Sequence, residues 1–330
     1  MKKELGIGVL LLLLCVAVAI LNPKFLSATN LQNQARLIGI YGIFSIGLGI
    51  IIITGGIDLS VGSVFAFQGV LVAIALREWH FAWPIAVMGS IFVVMGLGLF
   101  HAVLITRLRL QPFIVTLCGL LMYRSIARSA AADETKGFAD ENFGPLRWLA
   151  SGDLGPVPMQ FIALLVVAAI MWVVLHRSVY GRYLYAVGRN EEASRYSGIN
   201  TGMVIGGAYV LGMLLAGIAG IQLAFYTNSI SPSGHGMSYE LLGIAAAVLG
   251  GCSLRGGEGS IVGILLGTAL LRVLQNLVIL LGIPSSWNDF VMGAVILIGV
   301  TLDELLTNRV KRPKHPDAGP VSPSREPLPV

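Results

Sequence analysis

Apolar runs at 5–21, 37–53, 61–76, 84–106, 112–130, 157–176, 203–225, 239–252, 260–281 and 287–302 alternate with polar stretches along the chain. A perpendicular membrane helix needs about 20 mainly apolar residues, so the pattern predicts an all-α, polytopic membrane protein of about ten transmembrane helices. Several runs are short, 239–252 above all, and call for tilt, extension into their flanks or a re-entrant path. The first run follows Lys2 and Lys3 as a signal peptide would. It is longer than most signal cores and ends without a small-x-small site, so a retained first span is expected. The chain is expected to divide into a transmembrane domain, 1–308, and a basic, Pro-rich flexible cytoplasmic tail, 309–330.

The polar stretch His176 to Thr201 carries helix-boundary signals as well as charge. Asn190 is placed to cap a helix of about two turns, Glu191 to Ser197. Glu191 and Glu192 suit the positive end of its dipole, and Gly198 supplies a left-handed stop. A plain connecting loop accounts for Arg177, Arg182, Arg189 and Arg195 but not for the cap. A helix lying in the lipid headgroups fits poorly, because two acids open it and large apolar residues are scarce. A surface presented to a soluble partner fits better.

Composition narrows the class. With 55% hydrophobic residues, 12% charged and a mean hydropathy of +0.82, the chain has too few charges to cover a soluble globule. Its net charge of +5 falls on one side of the expected membrane, so topology explains the bases and no nucleic acid is expected as a partner. Ten crossings put both termini, Arg107, Arg109, Arg255 and the loop arginines in the cytoplasm. The acidic stretch Ala131 to Pro156 then lies outside. Cys15, Cys118 and Cys252 have no pairing or metal spacing and are read as packing residues.

Thr54 to Ser63, TGGIDLSVGS, interrupts two apolar runs. Gly55 and Gly56 permit non-helical backbone, and Asp58 or Ser60 is placed to cap the helix that resumes at Val61. A carboxylate so near hydrocarbon is also a candidate for solute contact on a broken helix. Gly250 to Gly263, GGCSLRGGEGSIVG, is no Walker A loop, because no lysine in the chain follows a glycine. Arg124 and Arg128 are expected to snorkel to the headgroups. Arg272, deep in an apolar run, is expected to face a water-filled path or to pair with Glu240 or Asp289. Gln68, Gln222, Gln275 and Asn276 suit interhelical hydrogen bonds and, less readily, sugar hydroxyls. No nucleophile-base pair and no metal spacing emerge around His101 or elsewhere, so neither an enzyme nor a cofactor is expected.

TGGIDLSVGS at 54–63, QPFIVTL at 111–117, GRYLYAVGRNEEASRYSGIN at 181–200 and YELLGIAAAVLGGCSLRGGEGSIVG at 239–263 stand in order. Together they resemble the signature stretches of the permease subunits of ribose-type ABC importers, a family related to the branched-chain amino acid permeases. The resemblance implies two permease chains, the same or different, in the inner membrane of a prokaryote. It further implies cytoplasmic ATP-binding subunits and a periplasmic sugar-binding protein, with lipid around the helices. The loop at 186–199 then carries a coupling helix, with Asn190, Glu191, Glu192, Arg195, Ser197 and Gly198 as its ATPase-docking residues. Asp58, Ser60, Gln68, Glu240, Arg272, Asn276 and Asp289 are candidates for the translocation path. The resemblance leaves open another small polar solute, such as an autoinducer sugar, a nucleoside or a branched-chain amino acid. An ion-coupled secondary transporter with Asp58 as its ion site is the alternative from another class.

Overall fold

The structure is a computed structural model that describes residues 2–138, 143–287, 290–294, 297 and 301. Asp289, half of the expected segment 287–302 and the tail 309–330 lie outside the described residues. The helices are α1 (Lys2–Leu21), α2 (Ala28–Ile53), α3 (Val61–Arg77), α4 (Trp83–Thr106), α5 (Pro112–Ala130) and α6 (Pro145–Ser151). There follow α7 (Met159–Arg177), α8 (Val179–Arg189), α9 (Glu191–Tyr196), α10 (Thr201–Tyr226), α11 (Tyr239–Leu249) and α12 (Ile261–Leu280). Strand structure among the described residues amounts to two antiparallel pairs of two-residue strands, Lys136–Gly137 with Ser229–Ile230 and Asp153–Leu154 with Val157–Pro158. The all-α, polytopic expectation holds. Among the described residues seven helices (α1, α2, α4, α5, α7, α10 and α12) are long and apolar enough to cross a membrane, and α3 and α11 are shorter apolar helices. These nine correspond to nine of the ten expected segments.

Burial sorts the long helices into layers. Of the apolar window in each, 83% is buried in α2, 72% in α10 and 67% in α12, against 28% in each of α4, α5 and α7 and 6% in α1. α2, α10 and α12 therefore form the inner layer with α2 as its axis, and α1, α4, α5 and α7 present leucines, valines and phenylalanines outward, as lipid-facing helices do. Close approach is bought with glycine: a Cβ at Gly39 would stand 2.5 Å from the Gln160 carbonyl of α7, and one at Gly47 3.1 Å from Gly212 of α10.

Two crossings are made by a short helix joined to a non-helical stretch. α2 runs from Arg36, which binds Asp153 and the Ser151 carbonyl, to Ile53, whose carbonyl accepts the Gly257 N–H near α8. From there residues 54–60 turn back inward and α3 completes the passage to Arg77, which binds the Gly137 carbonyl. In the opposite sense, α10 ends at Tyr226 beside Asn33, residues 231–238 dip inward, and α11 continues to Gly250. At 11 residues α11 is about 16 Å long, roughly half a bilayer core. The whole stretch 231–250 nevertheless passes from one face of the bundle to the other, because α12 starts at the α9 face. The passage is made with less helix than the run of apolar residues at 239–252 suggested.

The two non-helical stretches meet in the interior. Gly236 has φ +72°, and a Cβ there would lie 2.1 Å from the Gly62 carbonyl oxygen. Gly236→Ala therefore brings both left-handed strain and overlap, at a cost of about 1–3 kcal/mol. Gly89→Ala on α4, with nothing within 4 Å of its added Cβ, is the control. In detergent, Gly236→Ala is expected to lower the midpoint of thermal inactivation by several degrees while Gly89→Ala does not. Equal midpoints would rule out the close contact.

Candidate functional site

At one face of the bundle α8 lies flat on the membrane domain. Gly181, Leu184 and Val187 turn inward and Arg182, Tyr183 and Arg189 outward. Ser178 caps it by accepting the Gly181 N–H at 3.1 Å, Tyr185 donates to the Gly259 carbonyl at 2.7 Å, and Tyr180 to that of Val204 at 3.0 Å. Burial pushes the Tyr185 phenol up to about 12, so it remains a donor through the physiological range. At Gly188 a Cβ would stand 1.8 Å from the Ile53 carbonyl oxygen, so α8 sits directly on the end of α2.

α9 follows at once, and Asn190 serves both helices. Its N–H bonds the Ala186 carbonyl to close α8, and its side chain accepts the Ala193 N–H at 2.9 Å to open α9. Gly198, at φ +84°, ends α9 in the left-handed turn expected of it, and Ser197 donates to the Ala193 carbonyl at 2.9 Å. Glu191 is held within the element: it accepts from Arg195 at 2.7 Å and from Thr201 Oγ1 at 3.1 Å. Glu192 points out with no ion pair among the described residues. Tyr196, which the charge pattern alone did not single out, is 85% exposed. An aromatic ring in a capped two-turn polar helix was the available signal.

In the bundle interior Asp58 and Ser60 are fully buried, and Asp58 Oδ1 accepts the Ser60 N–H at 2.8 Å and its hydroxyl at 2.6 Å. Ser60 stands at the N-cap of α3 without a side-chain cap bond, so Asp58 stabilises the turn that leads into the helix rather than the first helical N–H groups. Glu240, at the start of α11, places Oε2 where a Cβ on Gly62 would come within 2.2 Å. Arg124 does not snorkel. Its guanidinium donates to the carbonyls of Pro232 (3.0 Å), His235 (2.6 Å) and Gly62 (3.2 Å), joining the two broken crossings. Arg128 pairs instead with Asp133 at 2.5 Å.

Arg272 does not pair with Glu240, one of the two acids expected to receive it; the other, Asp289, lies outside the described residues. It lies over the Tyr41 ring at 4.6 Å and donates to Gln275, and its Nε has no partner among the described residues. The aromatic face supplies part of the stabilisation of its charge at that depth. Gln68 donates to Ser90 at 2.9 Å, an α3–α4 bond of the expected interhelical kind.

At the face opposite α9 an open cleft of about 600 Å³ is lined by Lys24, Asn30, Asn33, Arg36, Tyr226 and their neighbours. Asn276 of α12 lies buried behind Asn30: the two exchange amide hydrogen bonds of 3.0 and 2.9 Å, and Tyr226 donates to Asn33 at 2.7 Å. Of the candidate path residues, Asp58, Ser60 and Glu240 thus gather in the interior, Asn276 lies behind the cleft, and Gln68 and Arg272 are each tied to separate partners.

The family model for the branched-chain amino acid transport system permease component matches residues 30–300. The ribose import permease protein RbsC of Bacillus subtilis (strain 168) is 37% identical over 301 residues, 91% of this chain and 92% of that protein. The galactofuranose transporter permease protein YtfT of Escherichia coli (strain K12) is 31% identical over 273 residues, 83% of this chain and 78% of that one. The fructose import permease protein FrcC of Rhizobium meliloti is 31% identical over 301 residues, 90% and 83% of the two chains. No solved structure matches the chain. With a multi-pass helical bundle matched over nearly its whole length, the chain belongs to the branched-chain amino acid transport system permease component family.

Proposed function

We propose that this chain is the membrane permease of an ABC importer that carries a monosaccharide, ribose-like in size and polarity, across the inner membrane of a prokaryote. In this reading it pairs with a second permease, is driven by separate cytoplasmic ATP-binding subunits and is fed by a periplasmic sugar-binding protein. The α9 face is cytoplasmic, consistent with the exposed Arg107, Arg109, Arg177, Arg182, Arg189 and Arg255 gathered there. The likeness to permeases named for ribose, galactofuranose and fructose supports a sugar as the cargo.

The observation that carries the reading is α9 itself. It is capped, joined through Asn190 to a helix seated on the end of α2, and presents Glu192 and the Tyr196 ring to solvent. A ring so exposed beside an unpaired acid suits insertion into a groove on a soluble partner. On the opposite face the cleft lined by Asn30, Asn33 and Tyr226 offers amides and a phenol to sugar hydroxyls.

The docking residues differ in what their substitution tests. Reversing Glu191 also removes the bonds from Arg195 and Thr201 and loosens α9, whereas Glu192→Arg with Tyr196→Ala alters only the outward surface. The double variant is expected to insert normally, to retain less than about a tenth of its ATP-binding subunit on affinity purification and to lose uptake of labelled ribose in proportion. Full retention with full uptake would remove α9 from the docking surface. For the cleft, Asn33→Leu is expected to raise the half-saturating ribose concentration about tenfold, the loss of one or two hydrogen bonds to a sugar, with α9 docking intact. An unchanged half-saturation would take the cleft out of the path.

A further inference from the structure

The turn that opens α3 carries a buried carboxylate only half used. Asp58 is 0% exposed, and while Oδ1 takes both Ser60 donors, Oδ2 meets none. At 4.0 Å from Oδ2 stands Nδ1 of His101 on α4, a residue also 0% exposed and also without a partner at that nitrogen. The other ring nitrogen, Nε2, lies 2.8 Å from the Tyr123 hydroxyl of α5. The imidazole fits there because α5 offers Gly119, where a Cβ would come within 2.8 Å of Nε2. Tyr209 of α10 stands edge-on to the imidazole and donates to the Ile57 carbonyl at 3.2 Å, one residue before Asp58. Four helices therefore converge on one residue.

The hydrogen-bond chemistry fixes a direction. A bare ring nitrogen facing the Asp58 carboxylate oxygen would set two lone pairs against each other, so Nδ1 is the protonated nitrogen and Nε2, left with its lone pair, accepts from the Tyr123 hydroxyl. The single proton of the neutral ring is then on Nδ1, aimed at Asp58 Oδ2. At 4.0 Å this is not a hydrogen bond, which needs roughly 2.7–3.2 Å. The two unpartnered atoms are the halves of one bond, open by about 1 Å, and leaving both desolvated and unmet is costly. A small shift of α4 or of the turn closes it.

Such a shift has a route from α9. Asn190 joins α9 to α8, Gly188 of α8 sits against the Ile53 carbonyl, and the chain from Ile53 reaches Asp58 in five residues. We propose that His101 is a positioning residue for transport: its Nδ1–H closes onto Asp58 Oδ2 in one state of the cycle and opens in the other. Motion received at α9 is thereby handed to α4 and α5. This rests on the ATP-driven reading above.

Two substitutions separate the two ring nitrogens. His101→Asn puts an amide N–H where Nδ1 was, and His101→Gln puts one near Nε2 and none toward Asp58. In the complete complex of permease, ATP-binding subunits and binding protein, reconstituted in vesicles, labelled ribose imported is compared with ATP hydrolysed. His101→Asn is expected to import within about threefold of the unaltered complex per ATP, while His101→Gln and Asp58→Asn fall about tenfold or more with hydrolysis retained. Equal coupling in His101→Gln, or equal failure of both His101 variants, would overturn the proposal. A complex that neither hydrolyses ATP nor takes up ribose would instead count against the proposed function. In that event nitrogen-15 imidazole spectra of the unaltered permease still decide the matter, with the His101 signal assigned by its loss in His101→Asn. The expected result is a neutral Nδ1–H ring whose proton resonates in two hydrogen-bonding environments, with and without nucleotide and ATP-binding subunits. One environment throughout, or the Nε2–H tautomer, overturns it.

Discussion

Backbone groups inside a membrane have no water to fall back on, and that constraint governs the centre of this molecule. Two of its crossings abandon the helix partway, releasing carbonyls at depth, and Arg124 takes three of them from chain positions as distant as Gly62 and His235. A guanidinium suits the task because its five donors lie in one plane and its charge strengthens each bond. Other side chains satisfy the remainder: Tyr209 and Thr116 reach the Ile57 carbonyl, and His235 Nδ1 takes the Ser231 N–H. The broken segments persist because α5 and α10 replace what the missing helix turns would have supplied.

The packing around that centre follows from it. Where the two stretches meet, Gly62 and Gly236 leave no room for side chains, so Phe44, Phe65, Tyr41 and Tyr239 close over the junction from one side in tilted and edge-to-face contacts. Tyr41 in turn carries Arg272 on its ring. A rigid middle thus lies between an open polar cleft on one face and an exposed short helix on the other, with α2 running the length between them. Such a body is suited to transmit motion rather than absorb it, since close-packed interiors pass displacements on.

What was legible in the sequence was local. Most helices follow the apolar runs, though α2 begins at Ala28, nine residues before its run, and α6 and α8 lie outside any run; the Asn190 cap, the acids after it and the Gly198 stop need only adjacent residues, so they were readable as a unit. The break at 54–60 was readable from paired glycines for the same reason. Arg124 was misjudged because its position near a helix end fits snorkelling equally well. The difference is made by carbonyls 62 to 111 positions away, which no local pattern announces. Arg272 was expected to face water or to meet Glu240 or Asp289; what no local pattern announces is the Tyr41 ring beneath its guanidinium, brought there from a helix far away in the chain. The Asn30–Asn276 pair and the cleft it borders join positions 246 apart and were invisible for that reason.

The first helix has a peculiar position in time. α1 packs chiefly on α12, with Glu4 accepting from Ser260 at 2.5 Å and Asn22 donating to the Leu280 carbonyl at 2.9 Å. At about 5–20 residues per second the ribosome needs on the order of 10–50 s to make the 240 or so residues between them. During that interval α1 lacks its main packing partner, and its sequence suits the wait, for it is apolar around its whole circumference from Leu5 to Leu21. The seating of α1 is therefore decided by a helix made about 240 residues after it.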